Sequence, residues 1–279
     1  MKSAHPESDR EAELAERELS HETRPLDHLV SAALWATGLS WLIPSLGLST
    51  LLFRIVPSHR IDWVSKTYCR VQIALTTARW RAVVHPNIDP DKSYIFCQNH
   101  TNHFDHVVMY NATSHFKQGI ELESHFQYPF YGWFMKARGT IPVPANRSER
   151  YAQVKKGIQS EIEQGRSVLA FPEGTRTRDG RVAPFRTGIF RAARELGVPI
   201  IPTAVTGMFD LMRKGSYRIR PLQELVVYCE EPIETKGIPE HSLPELVSEV
   251  HRIVADRVDA YFESKRLRTT ASEASLRKE

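Results

Sequence analysis

The stretch "SYIFCQNHTNHFDHVVMYNATSHF" (residues 93–116) runs from a short apolar segment, through a polar loop, into a helical pattern. The bulky residues of 93–98 predict a buried strand, and 104–116 predicts a helix. The loop between them then sits at the C-terminal edge of a strand, where open α/β sheets carry their functional groups. That loop holds His100, His103, Asp105 and His106 within seven positions.

The same alternation continues outward. Further strand candidates are "TIPV" (140–143), "SVLAF" (167–171), "VPIIPTAV" (198–205) and "ELVVYC" (224–229). Helical stretches at 128–138, 149–164 and 185–196 separate them. This order predicts an α/β fold with a mostly parallel central sheet flanked by helices, over residues 82–240. A closing helix follows within 241–279, where Leu246, Val247, Val250, Ile253, Val254, Val258 and Tyr261 share one face before a polar tail.

Upstream lie two segments of different character. Residues 1–28 form a polar acidic tail with four basic and eight acidic groups, and "REAELAERELSHETR" (10–24) reads as a solvated or frayed segment. Residues 29–81 read as an N-terminal apolar helical membrane segment followed by an amphipathic helix. "LVSAALWATGLSWLIPSLGLSTLLF" (29–53) carries no charge. As one helix it spans about 37 Å, enough for a hydrocarbon core of about 30 Å. Pro44 offers the alternative of two shorter helices, 29–43 and 46–56, dipping into one leaflet. The acidic lead argues against a cleavable signal peptide. Arg54, Arg60, Lys66 and Arg70 after the segment, against Arg10, Arg17 and Arg24 before it, lean toward a body on the cytoplasmic face of a membrane. In 60–75, Ile61, Val64, Tyr68, Val71 and Leu75 line one face of a helix.

At 279 residues, 41% hydrophobic and 25% charged, the chain is globular in composition. The net charge of +4 conceals a body (29–279) with 33 basic and 25 acidic groups, which suits anionic lipid surfaces or phosphorylated ligands. Three cysteines without a Cys-x-x-Cys pair argue for a reducing compartment. No internal repeat is present.

Two chemistries fit the histidine loop. His-x-His-x-Asp-His is a dinuclear zinc signature, but Thr101 stands at its first position and is a poor ligand. The later histidines (His115, His125, His241, His251) form no ligand-spaced pair, so no metal is expected. His100 and Asp105 instead match a base with its orienting acid, or a capping pair without catalytic work. The second motif, "FPEGTRTRDGR" (171–181), directly follows the strand at 167–171. Gly174 permits a tight turn, and Arg176, Arg178, Arg181 and Arg186 form a cationic cluster suited to phosphate. No aromatic residues interleave the arginines, so nucleic acid is not an expected partner.

Together these residues resemble the glycerolipid acyltransferase family, the lysophosphatidic acid acyltransferases and their relatives. "NHTNHFD" is similar to the family's Asn-His-x4-Asp block, and "FPEGTR" to its Phe-Pro-Glu-Gly-Thr-Arg block residue for residue. "APFRTGIFRAARELGVPIIPTAV" (183–205) resembles the segment that follows, and "GTIPVPANR" (139–147) imperfectly resembles the second block. The resemblance implies a membrane-bound enzyme that moves a fatty acyl chain from acyl-CoA or acyl-carrier protein to the free hydroxyl of a lysophospholipid. The favoured acceptor is 1-acylglycerol-3-phosphate. It implies no cofactor beyond the acyl donor as substrate. His100 would be the general base and Asp105 its orienter, while Glu173, Gly174, Thr175 and Arg176 would bind the acceptor. The family pattern departs at Pro144 and Ala145, where an acid or Asn and an Arg are expected. Either Arg147 fills the role across a bulge, or the acceptor is another lysolipid, such as a lyso-aminolipid or a lysophosphodiester. Cys97, three residues before His100, suggests a Cys–His acyl-enzyme, but strand alternation is expected to bury it.

Overall fold

Seven strands form one sheet in a computed structural model that describes residues 25–276. They are β1 (Arg79–Val84), β2 (Ile95–Gln98), β3 (Lys117–Leu122), β4 (Ile141–Val143), β5 (Ser167–Ala170), β6 (Ile200–Thr206) and β7 (Glu224–Cys229). Their order across the sheet is β1-β7-β6-β2-β5-β3-β4. Every neighbouring pair is parallel except β6 with β7. The sheet is therefore mostly parallel, as the alternating elements predict.

Strand alternation divides the side chains between two cores. Phe96, Leu169, Ile201 and Val205 face one helical layer. That layer holds α1 (Pro25–Ile55), α2 (Asp62–Ala74), α3 (Asp105–Ala112) and α4 (Tyr131–Arg138). Ile95, Cys97, Val168, Ala170 and Ile200 face the other, made by α5 (Arg147–Glu163), α6 (Gly188–Leu196) and α8 (Leu243–Leu276). A one-turn helix, α7 (Met208–Leu211), follows β6. Burial on both faces explains why β2, β5 and β6 read as continuous apolar runs.

α1 is one helix of 31 residues with Pro44 inside it, so the break into two helices does not occur. Buried residues lie on both sides of the proline, Ser31 and Gly38 before it and Leu46, Ser49, Thr50 and Phe53 after it. Packing of both halves against α2 and α4 outweighs one missing backbone donor. The helix is long and apolar enough to cross a membrane, and 17% of its apolar window is buried within the chain. Leu39, Ile43, Leu48 and Leu51 are exposed. The polar segment 10–24 lies outside the described residues.

Two strands escape the sequence pattern. β1 ("RWRAVV") is an exposed edge strand with arginines at alternate positions. β3 begins with Lys117, which is 1% exposed and donates to the carbonyls of Thr113 (3.4 Å) and His115 (3.2 Å). Its ammonium lies 5.1 Å from the centre of the Phe96 ring, and burial pushes its pKa down to about 7.

The β6–α7 junction depends on Gly207, at φ +84°. A Cβ there would stand 2.1 Å from the Glu224 carbonyl oxygen. Gly207→Ala combines a left-handed backbone with a backbone clash, so it should cost about 2–4 kcal/mol. Denaturant unfolding of wild type and variant checks this.

Candidate active site

Asp105 opens α3 and is 1% exposed. One of its oxygens, Oδ2, receives His100 Nδ1 at 2.8 Å and the backbone N–H groups of Thr101 (2.6 Å) and Asn102 (3.0 Å). Three donors thus converge on this one oxygen at the N-terminal end of α3. An anion beside Nδ1 places the imidazole proton on that nitrogen, which leaves Nε2 as a lone-pair acceptor. Phe171 stacks on the imidazole with ring centres 4.2 Å apart.

The loop after β5 is bound to the histidine loop at three points. Glu173 Oε1 accepts from the backbone N–H of His100 at 2.6 Å, and Oε2 from that of Ala183 at 3.0 Å. The His100 carbonyl accepts from the Thr177 N–H at 2.8 Å. Arg176 Nη1 donates to His103 Nε2 at 2.7 Å. Glu173 is 3% exposed, and burial raises its carboxyl to about 7 against the pull of its two N–H donors. This carboxylate therefore braces the backbone that carries His100. Gly174 turns the loop at φ +68°, and a Cβ there would stand 2.7 Å from Arg186 Nε. Thr175 Oγ1 accepts from Lys214 Nζ at 2.9 Å, and the same ammonium donates to the Arg176 carbonyl at 2.9 Å.

These groups border a cavity of about 980 Å³. His100, Asp105, Gly174, Thr175, Arg176 and Lys214 all line it. On one side its wall runs to α1 and α2, through Leu34, Leu42 and Tyr68. On the other it reaches α5 and α6, through Tyr151, Val154 and Ile189. The cavity thus passes over the C-terminal edge of the sheet from one helical layer to the other. Arg147 is exposed at the start of α5 and is not among the lining residues. Arg150, one turn later, lines the wall and donates to the carbonyls of Pro144 (2.7 Å) and Ala145 (3.1 Å).

Four residues to which the motif reading assigns no role hold or complete this arrangement. Asn99 exchanges two hydrogen bonds with the backbone of Val205 on β6, at 2.7 and 3.0 Å. Asn102 donates to the carbonyls of Met208 (2.7 Å) and Met212 (3.0 Å) and accepts from Phe104 N–H (2.7 Å). Both asparagines are visible as polar residues beside the histidines, but the β6 and α7-side partners that fix them lie more than a hundred residues away. Lys214 and Arg150 carry no motif signal. His103 is taken by Arg176, and His106 packs on Tyr110 with its pKa pushed down to about 4 by burial. Among the described residues no group of three or more His, Cys, Asp or Glu could hold a metal ion. Cys97 is fully buried, and burial raises its thiol far above the ordinary range.

Residues 81–206 match the family model described as Acyltransferase. A chloroplastic 1-acyl-sn-glycerol-3-phosphate acyltransferase of Brassica napus is 30% identical over 51% of this chain and 41% of its own length. A Chlamydomonas reinhardtii protein of the same name is 33% identical over 50% of this chain and 42% of its own. The chain thus spans about two fifths of the length of these two relatives. One from Saccharomyces cerevisiae is 26% identical over 82% of this chain and 75% of its own. The crystal structure of the 1-acyl-sn-glycerophosphate (LPA) acyltransferase from Thermotoga maritima shares the fold, with a TM-score of 0.70 at 20% identity over 84% of this chain and 95% of that one. Both motif loops lie inside the matched region and are joined at one cavity, so residues 81–206 are similar to the acyltransferase family in sequence and carry its two motif blocks at one site.

Proposed function

We propose that this protein transfers a fatty acyl chain from an acyl thioester, acyl-CoA or acyl-carrier protein, to the free hydroxyl of a lysophospholipid. The acceptor favoured is 1-acylglycerol-3-phosphate, with phosphatidic acid as product; the relatives' names support it. The observation that carries the reading is the 2.8 Å contact of His100 with a buried aspartate at the rim of a cavity that both helical layers line.

His100 Nε2 accepts the proton of the acceptor hydroxyl as its oxygen attacks the thioester carbonyl. Asp105 holds the tautomer and stabilises the imidazolium. The tetrahedral centre collapses, the C–S bond breaks, and the imidazolium returns its proton to the leaving thiolate. No cofactor enters this sequence. Arg176 and Lys214 supply positive charge for the acceptor phosphate at the same cavity. Arg150 is engaged with the backbone carbonyls of Pro144 and Ala145, so phosphate capture rests on Arg176 and Lys214. That departure is what favours the second reading, the same chemistry on another lysolipid. α1 holds the body at the cytoplasmic face of a membrane, where the lysolipid lies.

Purified protein, a lysolipid panel and one acyl-CoA, with product detected by mass, test the reading. Absence of product from every lysolipid overturns it. His100→Ala should lower turnover by about 10²–10⁴-fold with the fold retained, and His103→Ala and His106→Ala should lower it far less. Arg176→Ala should raise the Michaelis constant for lysophosphatidic acid by about 10-fold or more and leave that of the donor nearly unchanged. Leu48→Glu with Leu51→Glu should reduce co-sedimentation with anionic vesicles, since a charge on an inserted face costs about 2 kcal/mol or more.

Glu173 generates a pH prediction. Its folded pKa, about 7, lies above the ordinary 4.5, so its ionisation opposes folding. Its contribution to stability is fully present below about pH 4.5 and is lost as pH rises through about 7. Melting temperature measured from pH 5 to 8 should therefore fall more steeply in wild type than in Glu173→Gln.

A further inference from the structure

Lys214 lines the cavity and donates to Thr175 Oγ1 and to the Arg176 carbonyl. These contacts use two of the three N–H groups of an ammonium and leave one for an acceptor phosphate. The residue belongs to a strap, 212–219, that is exposed at Gly215, Ser216 and Tyr217. A long side chain on an exposed strap loses rotamer freedom when it binds, so the ends of the strap decide how well it is placed. One end is α7. In that single turn Asp210 is 2% exposed; its Oδ2 accepts from Tyr261 Oη on α8 at 2.6 Å, and Oδ1 pairs with Lys265. Phe262, beside Tyr261, packs edge-on against Phe209 of α7 with ring centres 6.1 Å apart. The other end is α1. Ser31 is fully buried and exchanges two hydrogen bonds with the Ile219 backbone, both at 3.2 Å. The Arg220 N–H donates to the Leu211 carbonyl at 2.9 Å and closes the strap between these ends.

A single helical turn has no stability of its own, so α7 takes its place from what it is tied to. A buried ionic contact gives little net stability over an apolar one of the same size. What Tyr261 and Lys265 give Asp210 is a fixed position. We infer that Asp210 with Tyr261, and Ser31 at the other end, are positioning residues for the acceptor: they hold the strap so that Lys214 meets the acceptor phosphate beside Arg176. The inference rests on the acyl-transfer reading. Ser31, Asp210, Lys214 and Tyr261 all lie outside the matched residues 81–206, so the motif blocks do not contain this device. α7 also carries the Met208 carbonyl that holds Asn102. The His100 loop, however, has three further ties: Asn99 to Val205, the His100 N–H to Glu173, and the His100 carbonyl to Thr177. Lys214 has only its strap. Loosening the strap should therefore appear in the acceptor KM and not in kcat.

The test is a double-mutant cycle on the full-length protein with lysophosphatidic acid and one acyl-CoA. Tyr261→Phe keeps the ring and removes the hydroxyl. It should raise the KM for lysophosphatidic acid about 3–10-fold, with kcat and the donor KM nearly unchanged. Ser31→Ala should do the same from the other end of the strap, and covers the case in which Tyr261→Phe does not fold. In a Lys214→Ala background neither substitution should raise the acceptor KM further, because both act through Lys214. A purely structural role moves other quantities. A kcat that falls along with the rise in KM, or an effect that persists in Lys214→Ala, would overturn the inference. An acceptor KM unchanged in both single variants would overturn it as well. The same cycle can be run without turnover, by calorimetric titration with glycerol 3-phosphate. If no lysolipid is acylated, the enzymatic reading fails, and this titration still decides the role of the strap. Weaker binding in Tyr261→Phe and Ser31→Ala, seen only while Lys214 is present, supports it. No binding to wild type, or equal affinity in wild type and both variants, sinks it.

Discussion

A single carboxylate oxygen organises the histidine loop. Asp105 Oδ2 gathers an imidazole nitrogen and two backbone N–H groups in a place almost closed to water. Burial of that oxygen is tolerable because three donors meet it, while the other oxygen, Oδ1, has no hydrogen-bond partner. Every neighbour of the loop then has to hold it in shape. Asn99 ties its start to β6, Asn102 ties its middle to the carbonyls of α7 and the residue after it, and Glu173 ties the His100 backbone to the loop after β5. The His100–Asp105 geometry is therefore a property of three strands and two helices together.

That arrangement explains why the groups lie where the cavity crosses the sheet edge. β2 and β5 are neighbours in the sheet, so the loops at their C-terminal ends meet without long side chains having to reach. Arg176 and Lys214 come from different loops and converge because Lys214 donates to the loop that carries Arg176. The resulting cleft has a polar rim at the sheet edge, a mainly apolar wall toward α1 and α2, and a mixed wall toward α5 and α6. A reaction that joins an apolar chain to a polar headgroup needs such a division of surfaces.

Much of the architecture was legible where local and global preferences agree. Apolar runs identified β2, β4, β5, β6 and β7, and helical spacing identified α2 and α8. β3 was hidden because Lys117, Gln118 and Gly119 look nothing like strand residues in isolation. Their burial depends on carbonyls and a ring supplied by other elements. β1 was hidden because an exposed edge strand tolerates arginine at alternate positions. Pro44 suggested a break that packing on both sides of it prevents.

By itself, the order of residues determined the two loops, their placement after strands and the pairing of His100 with Asp105, because a turn after a buried strand followed by a helix start is a local matter. It also determined that residues 29–53 would seek an apolar surrounding, since no charge interrupts them. Only the tertiary structure decided that Glu173 faces the His100 backbone and that Arg150 and not Arg147 lines the cavity. Each of these depends on contacts between segments tens of residues apart, which sequence spacing does not encode and only packing brings within hydrogen-bond range.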